Sequence, residues 1–159
     1  MMRRFRVWRG LPRDQKQIVL TAWLLFPLLI IGLKLWGYGR LQARLQRWVP
    51  AHAAARAETA PSSHATVITA REIGRAVNIA ARYSLLPARC LSRSMMLWWL
   101  LHRRGVAAEL RIGVRKGAQG FEAHAWVEQQ GFVLNDSQDV KNRFAVFDTD
   151  MAAAAVFRS

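Results

Sequence analysis

Three residues of different chemical character stand in the second half of this 159-residue chain: Cys90, His124 and Asp136. Cys90 is the single cysteine, so it has no disulfide partner within the chain and reads either as buried filler or as a reactive thiol. It follows Pro87 and precedes a strongly apolar run, which places it in the first turn of a helix. Unpaired backbone N–H groups and the helix dipole favour an anion there and depress a thiol pKa, and Arg89 and Arg93 push the same way. A thiolate at a helix start, an imidazole on a strand and a carboxylate on the next strand are the parts of a Cys-His-Asp nucleophilic site. The thiolate would attack a carbonyl, with the backbone N–H of Cys90 as oxyanion donor. His124 as imidazolium would protonate the leaving amine, and Asp136 would fix its tautomer and steady its charge. Taken singly, each residue keeps an ordinary alternative: a cysteine filling an apolar helix, a structural strand histidine, and an Asn-Asp turn.

The elements that must position these residues follow from periodicity. From Thr66 to Tyr83, apolar residues recur at Val67, Ala70, Ile73, Val77 and Ala80 with Arg71, Glu72, Arg75, Asn78 and Arg82 opposite, the spacing of an amphipathic helix. The next helix, about Ala88 to Arg104, takes Pro87 as its lead-in, has almost no polar face between Met95 and Leu101, and should be the buried one, capped by Gly105. Strands are expected at Ala108 to Val114, Phe121 to Glu128 and Gly131 to Asn135, with a turn over Lys116 to Gly120. Helices followed by an antiparallel meander make an α+β domain. If Gln129-Gln130-Gly131 is a three-residue loop, Glu128 faces Phe132 and His124 stands directly opposite Asp136. A two-residue loop would shift that register by one.

The front of the chain is different in character. Residues 1–58 hold 11 Lys or Arg against Asp14 and Glu58, a net of +9 within a total of +14. Such a segment is attracted to anionic headgroups or phosphates. No zinc finger, RNP-like strand or basic heptad region accompanies it, so no specific nucleic-acid binding is expected. From Ile18 to Leu33 sixteen consecutive residues are uncharged and mostly apolar, flanked by Lys16, Lys34, Trp36 and Tyr38, with Pro27 as an expected kink. Two readings stay open, a helix entering or lodging on a membrane and a hydrophobic helix packed on the domain or a partner; a cleavable signal fits poorly. A second helical stretch, Leu41 to Val49, and a linker over 51–63 follow. The expected division is therefore a basic, hydrophobic N-terminal segment plus linker at 1–62 and a compact domain at 63–159. No metal is expected, because HAWVE lacks a second histidine at helical spacing and neither HExxH nor CxxC occurs. His52, His64 and His102 suggest no shared site.

The run RCLSRSMMLWWLLHRRGVAAELRIGVRK, followed by EAHAWVEQQGFVLNDSQDV, resembles the transglutaminase-like cysteine peptidases of lasso-peptide maturation, which cut the leader from ribosomally made precursors. The resemblance covers about residues 67–148 and rests on Cys90, the strand with Gly113, His124-Ala125-Trp126 and Asn135-Asp136, in that order. It implies a transglutaminase-like or papain-like core, helices packed on an antiparallel sheet, preceded here by the hydrophobic helix. It also implies Cys90 as nucleophile, His124 as general base and acid, Asp136 as orienting carboxylate, and no cofactor. Residues 1–58 leave no room for a leader-recognition module, so the implied partners are the precursor peptide, a separate small leader-recognition protein and an ATP-dependent lasso cyclase. The implied place is the cytoplasm, with attachment to the inner face of the membrane through residues 18–38 as the membrane reading of the helix.

Further residues carry two readings each. Trp126 shares the strand face of His124 and could wall a substrate cleft or be a core aromatic. Arg93 and Ser94, one turn after Cys90, could orient substrate or the helix start, or be simply structural. Glu122 also shares the His124 face. Three functions stay in view: leader peptidase, transglutaminase-type acyl transfer with the same triad, and a non-catalytic membrane-associated peptide-binding module.

Overall fold

The computed structural model describes residues 12–59, 63–118 and 120–147. Residues 1–11, with Arg3, Arg4, Arg6 and Arg9 of the basic front, and residues 148–159 at the end of the expected domain lie outside the described part.

The apolar run and the second helical stretch form one element, α1 (Arg13–Arg47). Its break falls at Gly37 (φ 72°, ψ 175°), not at the expected Pro27. A left-handed φ is open to glycine at little cost, whereas the proline removes one hydrogen bond from an otherwise continuous helix. One face of α1 is buried, through Ile18, Val19, Ala22, Phe26, Leu29 and Ile30. The expected linker over 51–63 is helical over most of its length as α2 (Ala51–Thr59), starting on carbonyl bonds to Pro50. Five alanines within this stretch give it the propensity that its Ser, Thr and Pro neighbours obscure.

Helix α3 (His64–Arg82) is N-capped by Ser63, whose Oγ accepts a bond from the Thr66 N–H at 3.2 Å. Val67, Ala70, Ile73, Val77 and Ala80 are all buried, as the periodicity predicts. Helix α4 (Cys90–His102) begins two residues later than expected, with Arg89 as N-cap and Pro87 outside it. Cys90 is therefore its first helical residue. Met95 to Leu101 are buried throughout. Gly105 (φ 71°) ends the turn after α4, where Val106 donates back to the Leu101 carbonyl at 3.0 Å.

The sheet comprises β1 (Glu109–Gly117), β2 (Gly120–Gln129), β3 (Phe132–Val133) and β4 (Ala145–Phe147), in the order β3-β2-β1-β4 and antiparallel throughout. A short helix α5 (Val140–Arg143) leads into β4; neither element was expected. The β2–β3 loop has two residues, Gln130 (φ 51°) and Gly131 (φ 79°), the left-handed pair of a type I′ turn. Glu128 accordingly faces Val133, and the expected Glu128–Phe132 register is off by one. The third strand also stops at Val133 instead of Asn135.

Alternation divides the packing between the two sheet faces. Leu110, Ile112, Ala125 and Val127 join α1, α3 and α4 in the main core, while Trp126, Val133, Val140 and Phe144 form a smaller cluster. Gly113 lies opposite His124 in the β1–β2 ladder. A Cβ there would come within 2.9 Å of both the Ala145 carbonyl and the Trp126 ring, so the missing side chain lets β4 and Trp126 close over this position.

Candidate active site

The shortness of β3 shapes the site. Beyond Leu134, which donates to the Val127 carbonyl at 2.9 Å, the edge of β2 lacks a partner strand. Side chains take over its outward-pointing backbone groups. The Val127 N–H donates to Asn135 Oδ1 and the Ala125 carbonyl accepts from Ser94 Oγ, each at 2.9 Å. Asn135 Nδ2 in turn donates to Ser94 Oγ at 2.9 Å, and Asn78 Nδ2 donates to the Asn135 carbonyl at 3.1 Å. Ser94 is fully buried one turn after Cys90, so this network clamps the start of α4 to the edge of β2 and to the 134–136 segment. Gly74 of α3 permits the same approach: a Cβ there would lie 2.6 Å from the Leu134 carbonyl oxygen.

Cys90, His124 and Asp136 meet at this edge. His124 Nε2 donates to Asp136 Oδ2 at 2.6 Å, although the two residues are not a cross-strand pair. Asp136 reaches the imidazole from the bend after β3. With Nε2 engaged by the carboxylate, Nδ1 is the ring nitrogen left to interact with the Cys90 thiol. Asp136 Oδ1 accepts from the Ser137 N–H at 2.7 Å and has Arg143 at 3.9 Å, which orients the carboxylate. Phe144 stacks on the imidazole with ring centroids 5.1 Å apart.

The electrostatics shift the thiol and the imidazole toward an ion pair. Burial pushes the Cys90 thiol up, but the hydrogen bond and charge of His124 and backbone hydrogen bonds from Ala125 and Leu91 outweigh it and hold the thiol below its ordinary value. The hydrogen bond to Cys90 raises the His124 pKa, burial opposes it, and Asp136 adds to the rise. Burial likewise pushes Asp136 up, yet His124 and the Ser137 backbone keep it below the usual carboxylate range. A thiolate beside an imidazolium that leans on a carboxylate can attack a carbonyl and protonate a leaving group.

The remaining sequence candidates are placed as follows. Arg93 is half-buried, and its Nε is buried without a hydrogen-bond partner. Trp126 is fully buried in the smaller core, its Nε1 donating to Glu128 Oε1 at 2.6 Å and its ring 6.3 Å from the imidazole. It thus supports His124 from beneath and has no surface to offer a substrate. Glu122 pairs with Arg115 across the hairpin at 2.7 Å, away from the imidazole contacts. Sequence reasoning missed the roles of Asn135, Asn78 and Phe144. Asn135 stands beside Asp136 in the quoted motif, but its job depends on how early β3 ends, and Phe144 belongs to elements that periodicity did not reveal. Among the described residues no three His, Cys, Asp or Glu side chains gather as a metal ion would need.

The family model of the transglutaminase-like superfamily matches residues 35–149, well over half of the chain. The chain is also similar to the microcin J25-processing protein McjB of Escherichia coli, 34% identical over 70 residues, which is 44% of this chain and 33% of that protein. It thus spans about a third of that relative's length. No solved structure matches significantly.

Proposed function

The chain belongs to the transglutaminase-like superfamily, and from that premise we propose that it is a cysteine peptidase that removes the leader from a ribosomally made lasso-type precursor peptide. The observation that carries this reading is the contact of His124 with both Asp136 and Cys90, at the helix start where a thiolate is favoured. Similarity to a microcin-processing protein supports the substrate class.

In the proposed reaction the Cys90 thiolate adds to the carbonyl at the end of the leader, and the Cys90 backbone N–H donates to the developing oxyanion. The intermediate collapses to a thioester as His124 gives its proton to the departing amine of the core peptide. Water, deprotonated by His124, then releases the leader as a carboxylic acid and regenerates the thiol. Asp136 holds the imidazole in the tautomer and orientation both steps need. Arg93, half-buried one turn after Cys90, is the proposed substrate contact. A recess of about 320 Å³ beside Asp136, lined by Arg71, Arg75 and Asn78, could seat part of the peptide.

The proposed setting is the cytoplasmic face of the membrane, with attachment through residues 18–38. A separate small leader-recognition protein would deliver the precursor, and an ATP-dependent cyclase would use the freed amine. Acyl transfer to an amine passes through the same thioester and is the second reading, because the superfamily includes both outcomes. A binding module without catalysis is the third.

The test is mass spectrometry of a lasso-type precursor incubated with the full chain and a leader-recognition partner, for the wild type and Cys90→Ala. Loss of a leader-sized fragment with the wild type alone is the expected result. A crosslinked product without hydrolysis would favour acyl transfer, and cleavage by both proteins would remove Cys90 as nucleophile.

A further inference from the structure

The outer face of α1 remains unaccounted for by the core and by the triad. Leu20, Leu24, Leu28, Ile31 and Leu35 recur at helical spacing along it and are 46–68% exposed, on the side opposite the buried Ala22, Phe26 and Leu29. A helix apolar on every side is ordinarily covered on every side, and the core covers only one. The stripe runs from Leu20 to Leu35, about 22 Å at the helical rise, against roughly 30 Å for a hydrocarbon core. Spanning would also strip Ala22 and Phe26, both at 0% exposure, from the core they share with α3 and α4.

Charge selects the occupant. Arg13 and Lys16 stand before the stripe and Lys34 near its far end, Arg40, Arg44 and Arg47 follow the break at Gly37, and Asp14 is the sole acidic residue of α1. Two copies of this face laid together would bring cations against cations at the ends in either direction. Anionic lipid headgroups would meet the same cations favourably, and the leucines between them would reach the acyl region. Trp36, 41% exposed with Arg44 at 4.0 Å over its ring, has the amphipathic character of a residue at the headgroup level.

We propose that α1 lies in the plane of an anionic membrane surface, with Leu20, Leu24, Leu28, Ile31 and Leu35 entering the lipid and Phe26 staying in the protein core. The inference rests on the membrane attachment proposed above and specifies its face and depth; it does not depend on the cleavage chemistry.

The experiment is co-sedimentation of the full chain with vesicles of mixed phosphatidylcholine and phosphatidylglycerol, and with phosphatidylcholine alone. Wild type should partition at least about tenfold more onto the anionic vesicles and be released by alkaline carbonate. The L24E/L28E double variant, with both positions exposed and unfolding checked by circular dichroism, should lose about tenfold or more of that binding. Lys34→Gln with Arg40→Gln should weaken it without touching the leucines. If wild type ignores anionic vesicles, attachment and orientation both fall. If L24E/L28E binds like wild type, attachment survives and this face is wrong. Resistance to carbonate would mean a spanning helix, and a drop in oligomer mass on L24E/L28E substitution without vesicles would mean the stripe joins copies of the chain. Either result overturns the inference.

Discussion

At the scale of single residues, the site depends on three titrating groups that shift one another. Cys90 lies below its ordinary pKa and His124 above its own, and both shifts favour a thiolate–imidazolium pair, whose window would be bounded on the acid side by the thiol and on the alkaline side by the imidazolium. The pH profile of kcat/KM should therefore be bell-shaped, with an acid limb below that of a free thiol and an alkaline limb above that of a free imidazole. Asp136→Ala removes a contact that raises His124, so the alkaline limb should move to lower pH, with kcat falling roughly 10²–10⁴-fold. An unmoved limb would show that the carboxylate does not hold the imidazolium. Folding stability has its own sign. Asp136 is depressed in the folded state, so its contribution is present above the unfolded carboxylate pKa and is lost as pH falls through the lowered value. The three candidate residues could be picked out in the sequence because few others could form a nucleophilic set. Their contact was expected for a reason that does not hold, since His124 and Asp136 are not directly opposed on paired strands.

Among the elements, the decisive feature is where β3 ends. Its two residues leave the β2 edge to Asn135, Ser94 and the first turn of α4. Asn135→Ala would leave the Val127 N–H without a partner and remove the donor to Ser94 Oγ, which keeps only its own bond to the Ala125 carbonyl, at a cost of about 1–3 kcal/mol. A thermal melt should show this loss, and kcat should fall more than KM rises, because Asp136 loses its anchor. Asn135→Asp keeps the acceptor for Val127 but not the donor for Ser94, so it should recover only part of the stability. Gly74→Ala should act on the same segment from the other side, driving a methyl group into the Leu134 carbonyl. A Gly74→Ala protein with wild-type stability and activity would mean that the 134–136 segment can yield without moving Asp136. The amphipathic period of α3 and the buried run of α4 were readable because each repeats over several turns. Strand length, the I′ turn and β4 were not, because short strands carry little pattern and β4 exists only through its pairing with β1.

For the whole molecule, the N-terminal helix belongs to the core on one face and to its surroundings on the other. Phe26→Ala should cost about 3–5 kcal/mol in urea unfolding, as for any large buried aromatic. Leu24→Ala, two residues away and exposed, should stay within about 0.5 kcal/mol in the absence of lipid. Equal losses would mean that the two faces of α1 are not distinguished in solution.

The sequence by itself determined the α+β class, the buried identity of α4, the basic and apolar character of the front of the chain, and the set of residues able to act as nucleophile, base and orienting acid. These are carried by residue type and by local period, which a linear reading retains. Only the tertiary structure decided that α1 packs through the Phe26 side, that Trp126 is core, and that Asp136 reaches His124 around the end of a truncated strand. Each of those depends on contacts between residues distant in the chain. A single-residue change of register or strand length redirects them without altering any local pattern.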